Sequence, residues 1–151
     1  MANAILKVKL VVCLMLLPAA ASFAQVPPAA ATSLAGSSWQ FVKFQGSDDK
    51  RLIPADKSKY TLAFNSDGRV VARIDCNRGT GSWKSAGPNQ IEIGPLAMTR
   101  AMCPGAPLTD RLPKDLGLMR SYLLKDGHLF LSLMADGGIY ELEPQATSLT
   151  K

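Results

Sequence analysis

A chain of 151 residues, of which 47% are hydrophobic and 19% are charged, is long and apolar enough to fold as one domain with its own core. The formal net charge of +5 is a mild excess, which excludes the strongly basic composition of a nucleic-acid-binding protein. We therefore expect one globular domain whose partners do not include nucleic acid.

The first 24 residues have the pattern of a secretory signal peptide. Two lysines precede an apolar run at residues 10–17, and Ser-Phe-Ala at residues 22–24 fits a small-residue cleavage site. The apolar run is far shorter than the roughly 20 residues of a membrane-spanning helix. We predict a periplasmic or secreted protein that is cleaved after Ala24 and has no transmembrane segment in the mature chain.

Lipid attachment at Cys13 is the alternative to this cleavage. Val12 is larger than the small residue that normally precedes a lipidated cysteine, and the apolar run continues past Cys13. We expect Cys13 to be removed with the signal, so that Cys76 and Cys103 are the cysteines of the mature chain.

An even number of cysteines in an oxidising compartment favours a disulfide, here between Cys76 and Cys103. Two buried thiols that never meet are the alternative. A zinc site is disfavoured because the sequence has one histidine, His128, and no Cys-x-x-Cys spacing. We therefore predict a disulfide and neither a metal nor a cofactor.

Composition divides the rest of the chain into three parts. Residues 25–36 are rich in Ala and Pro without apolar periodicity, which predicts a flexible leader. The folded domain is expected at residues 37–143. A polar, disordered tail is predicted at residues 144–151.

Alternating apolar and polar residues predict the strands of the domain. In its first part they are expected at residues 39–44, 60–64, 69–75, 82–84 and 90–93. Segment 77–81, with its Asn and Gly residues, interrupts the alternation and is predicted to be a tight loop. In the last third, Asp-Gly pairs at residues 126–127 and 136–137 predict the turns of a three-stranded meander.

One short helix is predicted between these two groups of strands. Leu112, Leu116 and Met119 lie at i, i+4 and i+7 on one face of it, although Pro113 and Gly117 are poor helix formers. The elements together predict a mainly β, α+β fold. It is a single antiparallel, strongly twisted β-barrel or half-barrel of about seven to eight strands with one short helix, because closure removes exposed strand edges.

Large side chains are expected to fill the interior of this barrel, so that no room remains for a ligand. Met98, Met102 and Met119 are expected to fill gaps among them. The residues expected to face inward are Trp39, Phe41, Tyr60, Leu62, Phe64, Ile91, Ile93, Leu129, Leu131, Leu133, Tyr140 and Leu142.

Residues 74–83 read Ile-Asp-Cys-Asn-Arg-Gly-Thr-Gly-Ser-Trp, and residues 91–103 read Ile-Glu-Ile-Gly-Pro-Leu-Ala-Met-Thr-Arg-Ala-Met-Cys. This pair of segments resembles the signature of the META domain, the HslJ-like family of small bacterial envelope proteins. The resemblance covers residues 34–143 and implies the same fold, an envelope location and an accessory role in stress tolerance, with heat-shock association in some relatives. One departure is Gly79, where many relatives carry an aromatic residue.

Asn77 and Arg78 form the sharpest local motif. In a functional interpretation, Asn77, Arg78 and Arg100, with Trp83 nearby, form an exposed surface that recognises a ligand. In a structural interpretation, Asn77 bonds to the backbone of its own loop, Arg78 caps that loop, and Trp83 belongs to the core. We favour the structural interpretation, and we keep these four residues as the possible binding surface.

Catalysis is not indicated by any pattern of residues. His128 has no positioned partner in the local sequence, and no nucleophile, base and orienting group occur at a recognisable spacing. We therefore expect no catalytic residues and no enzyme activity.

A binding or structural role remains. We expect a monomeric, non-enzymatic envelope accessory protein, linked to stress tolerance, that contacts an envelope protein or an anionic envelope component. The alternative is a carrier that holds a small apolar or anionic lipid-like ligand in a half-open barrel. The signature is also surrounded by cations, which are typical of a solvated sheet face or of a surface for an anionic partner. They are Arg69, Arg73, Arg78, Lys84 and Arg100.

Overall fold

The computed structural model of the protein describes residues 33–104 and 106–145. The expected signal peptide, most of the expected leader and residues 146–151 of the expected tail lie outside the described residues. The strands in chain order are β1 (Ser37–Gln45), β2 (Arg51–Leu52), β3 (Tyr60–Phe64), β4 (Arg69–Ile74), β5 (Asn77–Lys84), β6 (Glu92–Ile93), β7 (Ala97–Met98), β8 (Met119–Lys125), β9 (His128–Leu133) and β10 (Ile139–Pro144). Helix α1 (Pro107–Leu116) lies between β7 and β8.

The strands form one antiparallel sheet in the order β6-β5-β4-β3-β1-β10-β9-β8, with β2 added to β1 and β7 added to β5. The two ends of this order approach each other. The Ile91 amide donates to the Arg120 carbonyl at 3.1 Å, and the Tyr122 amide donates to the Asn89 carbonyl at 2.9 Å. The sheet is therefore a nearly closed barrel of eight strands, which confirms the fold class predicted from the sequence.

The interior is filled by large side chains. All twelve residues that were expected to face inward are buried, and most of them are fully enclosed. Met119 is also buried and Met98 is half-buried, so these two methionines fill gaps as expected. Met102 does not, because its side chain is 101% exposed in the segment before Cys103. The prediction for Met102 was wrong because the chain has left the strand pattern at this point.

Helix α1 packs onto the core through Leu108, Leu112 and Leu116. The predicted helix is confirmed, but the assignment of Met119 to its apolar face was wrong. Gly117 is the C-terminal cap of the helix, and Met119 is already the first residue of β8. A glycine readily ends a helix, so the i+7 spacing to Met119 does not describe one continuous face.

A buried polar contact joins α1 to the barrel wall. The Asp115 carboxylate accepts hydrogen bonds from Arg111 Nε and from the Tyr140 hydroxyl, both at 2.7 Å. Burial, together with the bond to Asp115, raises the pKa of Tyr140, so its hydroxyl stays protonated and donates. The Arg111 guanidinium also lies 4.1 Å from the centre of the Phe44 ring. The helix is thus positioned by directed contacts as well as by apolar burial.

Strand β5 corrects the loop that was predicted at residues 77–81. The chain turns earlier, at Asp75 and Cys76, where Asp75 adopts a positive φ of 55°, and Asn77 already pairs with Ile74. The two glycines of the segment serve close packing. A Cβ on Gly79 would clash with the Met98 side chain, and one on Gly81 would lie 2.8 Å from the Pro95 carbonyl oxygen. The prediction treated these glycines as turn residues, whereas segment 95–98 packs directly over them.

The packed structure begins before β1. Leu34 is buried, and the Gly36 amide donates to the Phe64 carbonyl at 2.6 Å. Residues 34–36, which the sequence assigned to the end of the flexible leader, are therefore held against the barrel. A single apolar residue among alanines gives too little periodicity to reveal this contact.

A disulfide joins Cys76, in the turn before β5, to Cys103, with Cα atoms 5.7 Å apart and a sequence separation of 27. The predicted pairing is present. It ties the segment that follows β7 to the turn between β4 and β5. Closing a loop of this length restricts the unfolded chain and contributes roughly 3–4 kcal/mol in the chain-entropy model.

Replacing both Cys76 and Cys103 with Ser is expected to lower the free energy of unfolding by about 2–4 kcal/mol, because the unfolded chain regains its freedom. Denaturant unfolding without reductant measures the change. In reductant the wild type and the variant should be equally stable. Ready alkylation of both cysteines in native, unreduced wild-type protein would contradict the prediction.

Candidate binding surface

The side chain of Asn77 holds the 99–103 loop, the segment that runs from β7 to Cys103. Its Oδ1 accepts from the Thr99 hydroxyl at 3.0 Å and from the Ala101 amide at 2.8 Å. Its Nδ2 donates to the Ala101 carbonyl at 3.1 Å and lies 3.0 Å from Cys103 Sγ. All four hydrogen-bonding positions of the amide are used within the protein. Asn77 therefore has a structural role, but not the predicted one, because it lies in β5 and bonds to a loop that is distant along the chain rather than to the backbone of its own segment.

The backbone of Arg78 completes this attachment. Its amide donates to the Thr99 hydroxyl and its carbonyl accepts from the Thr99 amide, both at 2.9 Å. Arg100 consequently lies between two residues, Thr99 and Ala101, that are both bonded to β5. Among residues 33–104 and 106–145, the side chains of Arg78 and Arg100 make no ion pair or hydrogen bond, and both residues are exposed. The loop is thus rigidly held while its arginine remains available.

Trp83 takes part in packing and does not join this exposed surface. Its ring packs edge-on against Phe64 with centroids 5.1 Å apart, and its indole N–H donates to the Asn65 carbonyl at 3.0 Å. The residue is half-buried at the margin of the core. The one polar atom of the ring is therefore already engaged inside the protein.

A groove separates the 99–103 loop and β7 from helix α1. Its volume is about 410 Å³, and Arg100 and Lys114 line it together with the apolar residues Leu96 and Met98. Arg78 does not line this groove. The structure therefore divides the two arginines of the predicted surface: Arg100 borders the groove, and Arg78 lies on strand β5.

The remaining cations around the signature are not equivalent. Arg69 is paired with Asp67 and Lys84 with Glu92, each at 3.1 Å. Arg73 lies directly opposite Arg78 in the β4–β5 pairing, and its Nε reaches only the Asp75 carbonyl, at 3.3 Å. Like charges directly opposite each other in a sheet destabilise the pairing. An anionic partner bound at Arg73 and Arg78 would therefore be stabilising.

His128 has a partner that the sequence did not reveal. Its Nδ1 lies 2.8 Å from Glu141 Oε1, and Lys43 binds the other oxygen of the same carboxylate at 2.8 Å. The hydrogen bond from Lys43, with a smaller contribution from His128, holds the pKa of Glu141 below its usual value. These residues lie on three different strands, so only the strand order β1-β10-β9 brings them together. They form a charged network on the outer surface of the barrel.

Two broader properties concern the described residues. Within them, no three His, Cys, Asp or Glu side chains lie close enough to bind a metal ion. No helix in the same part of the chain is long and apolar enough to cross a membrane.

A nearly closed antiparallel barrel, packed by one helix and carrying a disulfide-bonded loop on its outer side, defines a class of small β domains. Within that class the chain belongs to the META domain family, because the family model matches residues 32–146. This match confirms the resemblance seen in the two signature segments.

Solved structures show the same fold. A protein from Burkholderia xenovorans, solved by NMR, is 22% identical with a TM-score of 0.63, and the match covers 80% of this chain and 89% of that one. A DUF4847 family protein from Bacteroides vulgatus is 17% identical with a TM-score of 0.55, and the match covers 76% and 96% of the two chains. Comparison with curated proteins gives no significant match.

Replacing Asn77 with Ala is expected to free the 99–103 loop, because it removes the bonds to Thr99, Ala101 and Cys103. The free energy of unfolding should fall by about 1–3 kcal/mol. Hydrogen exchange of the Ala101 amide should become faster. The control is Arg78→Ala, which keeps the backbone bonds of Arg78 and should leave that amide protected. Equal protection of the Ala101 amide in Asn77→Ala and wild type would show that Asn77 does not hold the loop.

Proposed function

We propose that the protein is a non-enzymatic accessory module of the bacterial envelope that binds an anionic envelope component through Arg78 and Arg100. The observation that carries the proposal is the fixation of the 99–103 loop by Asn77, Thr99 and the disulfide to Cys76. A loop that is fixed before binding loses little entropy when a partner is bound, so this fixation favours a binding role for the loop.

Charge supports the same surface. Arg73, Arg78 and Arg100 have no carboxylate partner among the described residues, whereas Arg69 and Lys84 are each neutralised by a neighbouring acid. The unpaired cations lie on β4, β5 and the adjoining loop. An anionic partner would weaken the electrostatic repulsion between Arg73 and Arg78. The unpaired positive charges would also attract it over a distance of several ångströms.

The alternative of a ligand carried inside the barrel has less support. The positions that would surround such a ligand hold Phe41, Phe64, Leu131 and Tyr140, and these side chains pack against one another. A ligand in this space would have to displace well-packed groups, at a cost of several kcal/mol. The outer surface is therefore the better candidate.

We also propose that the protein acts in the periplasm or outside the cell, with a role in envelope stress tolerance. The pattern at residues 1–24 supports export, and a disulfide between Cys76 and Cys103 suits an oxidising compartment. Membership of the META domain family is consistent with an envelope location.

The intact mass of the protein purified from its natural host is expected to correspond to a chain that begins at Gln25, because the signal is cut after Ala24. The protein should be recovered in the periplasmic or secreted fraction. A chain that begins at Cys13 and carries the added mass of a lipid would contradict this expectation.

Replacing Arg78 and Arg100 together with Ala should abolish capture of the anionic partner from an envelope fraction by the mature protein. Stability should change by less than about 0.5 kcal/mol, because neither side chain is bonded to another of the described residues.

The matched control replaces Arg69 and Lys84 with Ala, which removes the same charge from residues that have acidic neighbours. It should retain partner capture. Equal loss of capture in both double variants would show that only net charge matters, and full retention in the Arg78 and Arg100 variant would place the binding surface elsewhere.

A further inference from the structure

We propose that the groove between β7 and α1 is a binding site for a medium-chain alkyl carboxylate. The inference rests on the proposed function only in assigning Arg100 to a binding surface. It names a ligand class and a site between β7 and α1, with Lys114 as a second cation that the sequence did not single out.

The charges of the groove favour an anion. Arg100 lies on the fixed 99–103 loop and Lys114 lies on α1, and both line the groove. No acidic residue is among the residues that line it, and neither cation has an ion-pair partner in the described part of the chain. Because one cation lies on the loop and the other on α1, both sides of the groove favour a carboxylate.

The hydrogen-bonding groups of the groove argue against a strongly polar ligand. Asn77 has all four of its hydrogen-bonding positions occupied by the 99–103 loop. The Thr99 hydroxyl is engaged with Asn77 and Arg78, and the Thr109 hydroxyl is bonded to Tyr60 at 2.8 Å. A peptide or a sugar would need partners for several polar groups. A ligand with one charged group and an otherwise apolar body needs only the two cations.

The floor of the groove supplies the apolar contact. Leu96 and Met98 are half-buried and pack against the core, and the exposed Pro113 continues the apolar surface, with the buried Ile74 beneath. Methionine is flexible and polarisable, which suits a floor that receives an alkyl chain. The volume of about 410 Å³ lies within the range of small-molecule sites.

The position of the floor is set by the two glycines of β5. A side chain at Gly79 would collide with Met98, and one at Gly81 would come within 3.2 Å of Leu96. The absence of side chains at both positions lets segment 95–98 lie close to the barrel, so that Leu96 and Met98 form the floor. Gly79 therefore contributes to the site through its missing side chain.

An NMR titration of the folded domain with octanoate tests the proposal. Saturable shifts are expected at the amides of Met98, Thr99, Arg100 and Lys114. Acetate, which has the charge without the chain, and octanol, which has the chain without the charge, should each bind much more weakly. Three outcomes would each overturn the proposal. They are binding of acetate or octanol as tight as that of octanoate, shifts centred on the barrel strands β9 and β10, and no saturable shift with octanoate.

Substitutions test whether Arg100 and Lys114 are the cations that bind the carboxylate. Arg100→Gln combined with Lys114→Gln should weaken octanoate binding by about tenfold, the combined effect of two surface ion pairs. Arg69→Gln combined with Lys125→Gln removes the same charge from residues that do not line the groove, and it should leave the affinity unchanged. Equal weakening in both pairs would overturn the assignment of the site.

Two measurements distinguish failure of the proposed function from failure of this inference. Arg78→Ala should impair capture of the envelope partner while octanoate binding persists, because Arg78 does not line the groove. If octanoate does not bind but the Arg78 and Arg100 variant still loses partner capture, the inference is wrong and the proposed function stands.

Discussion

The interior of a barrel of eight strands must be filled by side chains, and the rest of this structure depends on that constraint. Phe41, Phe44, Phe64 and Tyr140 occupy the space with the leucines of β9, and α1 adds three more leucines. Burial of this apolar surface is the main favourable term in folding. Because the interior is used for packing, any binding has to occur on the outside, on the loops and faces that the barrel holds in place.

The 99–103 loop illustrates how the barrel can support such a surface. A segment without regular structure is attached to β5 by the Asn77 side chain, by the backbone of Arg78 and by the disulfide from Cys76. These attachments fix the backbone before Arg100, at Thr99, and after it, at Ala101 and Cys103. The signature residues are therefore mostly architectural, and their shared effect is to position one arginine that is not itself bonded. The structural interpretation of Asn77 thus rests on these bonds, and the functional interpretation of Arg100 stays a proposal.

Strand periodicity was sufficient to predict most of the barrel. The strand at residues 60–64 and the meander from β8 to β10 follow the expected alternation, since one face of each strand is buried and the other is solvated. At β5 the alternation of apolar and polar residues did not predict the first part of the strand. Glycine is common both in turns and where two segments pack closely, and the sequence alone does not distinguish these two uses. The helix was likewise extended too far, because Met119 continues the apolar spacing into the next strand.

The sequence by itself determined most of the residues that fill the barrel, the family and the identity of the paired cysteines, because these follow from local periodicity and from residue types at characteristic spacings. It missed the burial of Leu34 and misplaced Met102. Only the tertiary structure decided which polar groups meet. The bonds of Asn77 to the 99–103 loop, the pairing of His128 with Glu141 and the groove that Lys114 and Arg100 both line all join segments that are distant in sequence. Strand order and helix packing bring these segments together, and local sequence does not encode such long-range distances.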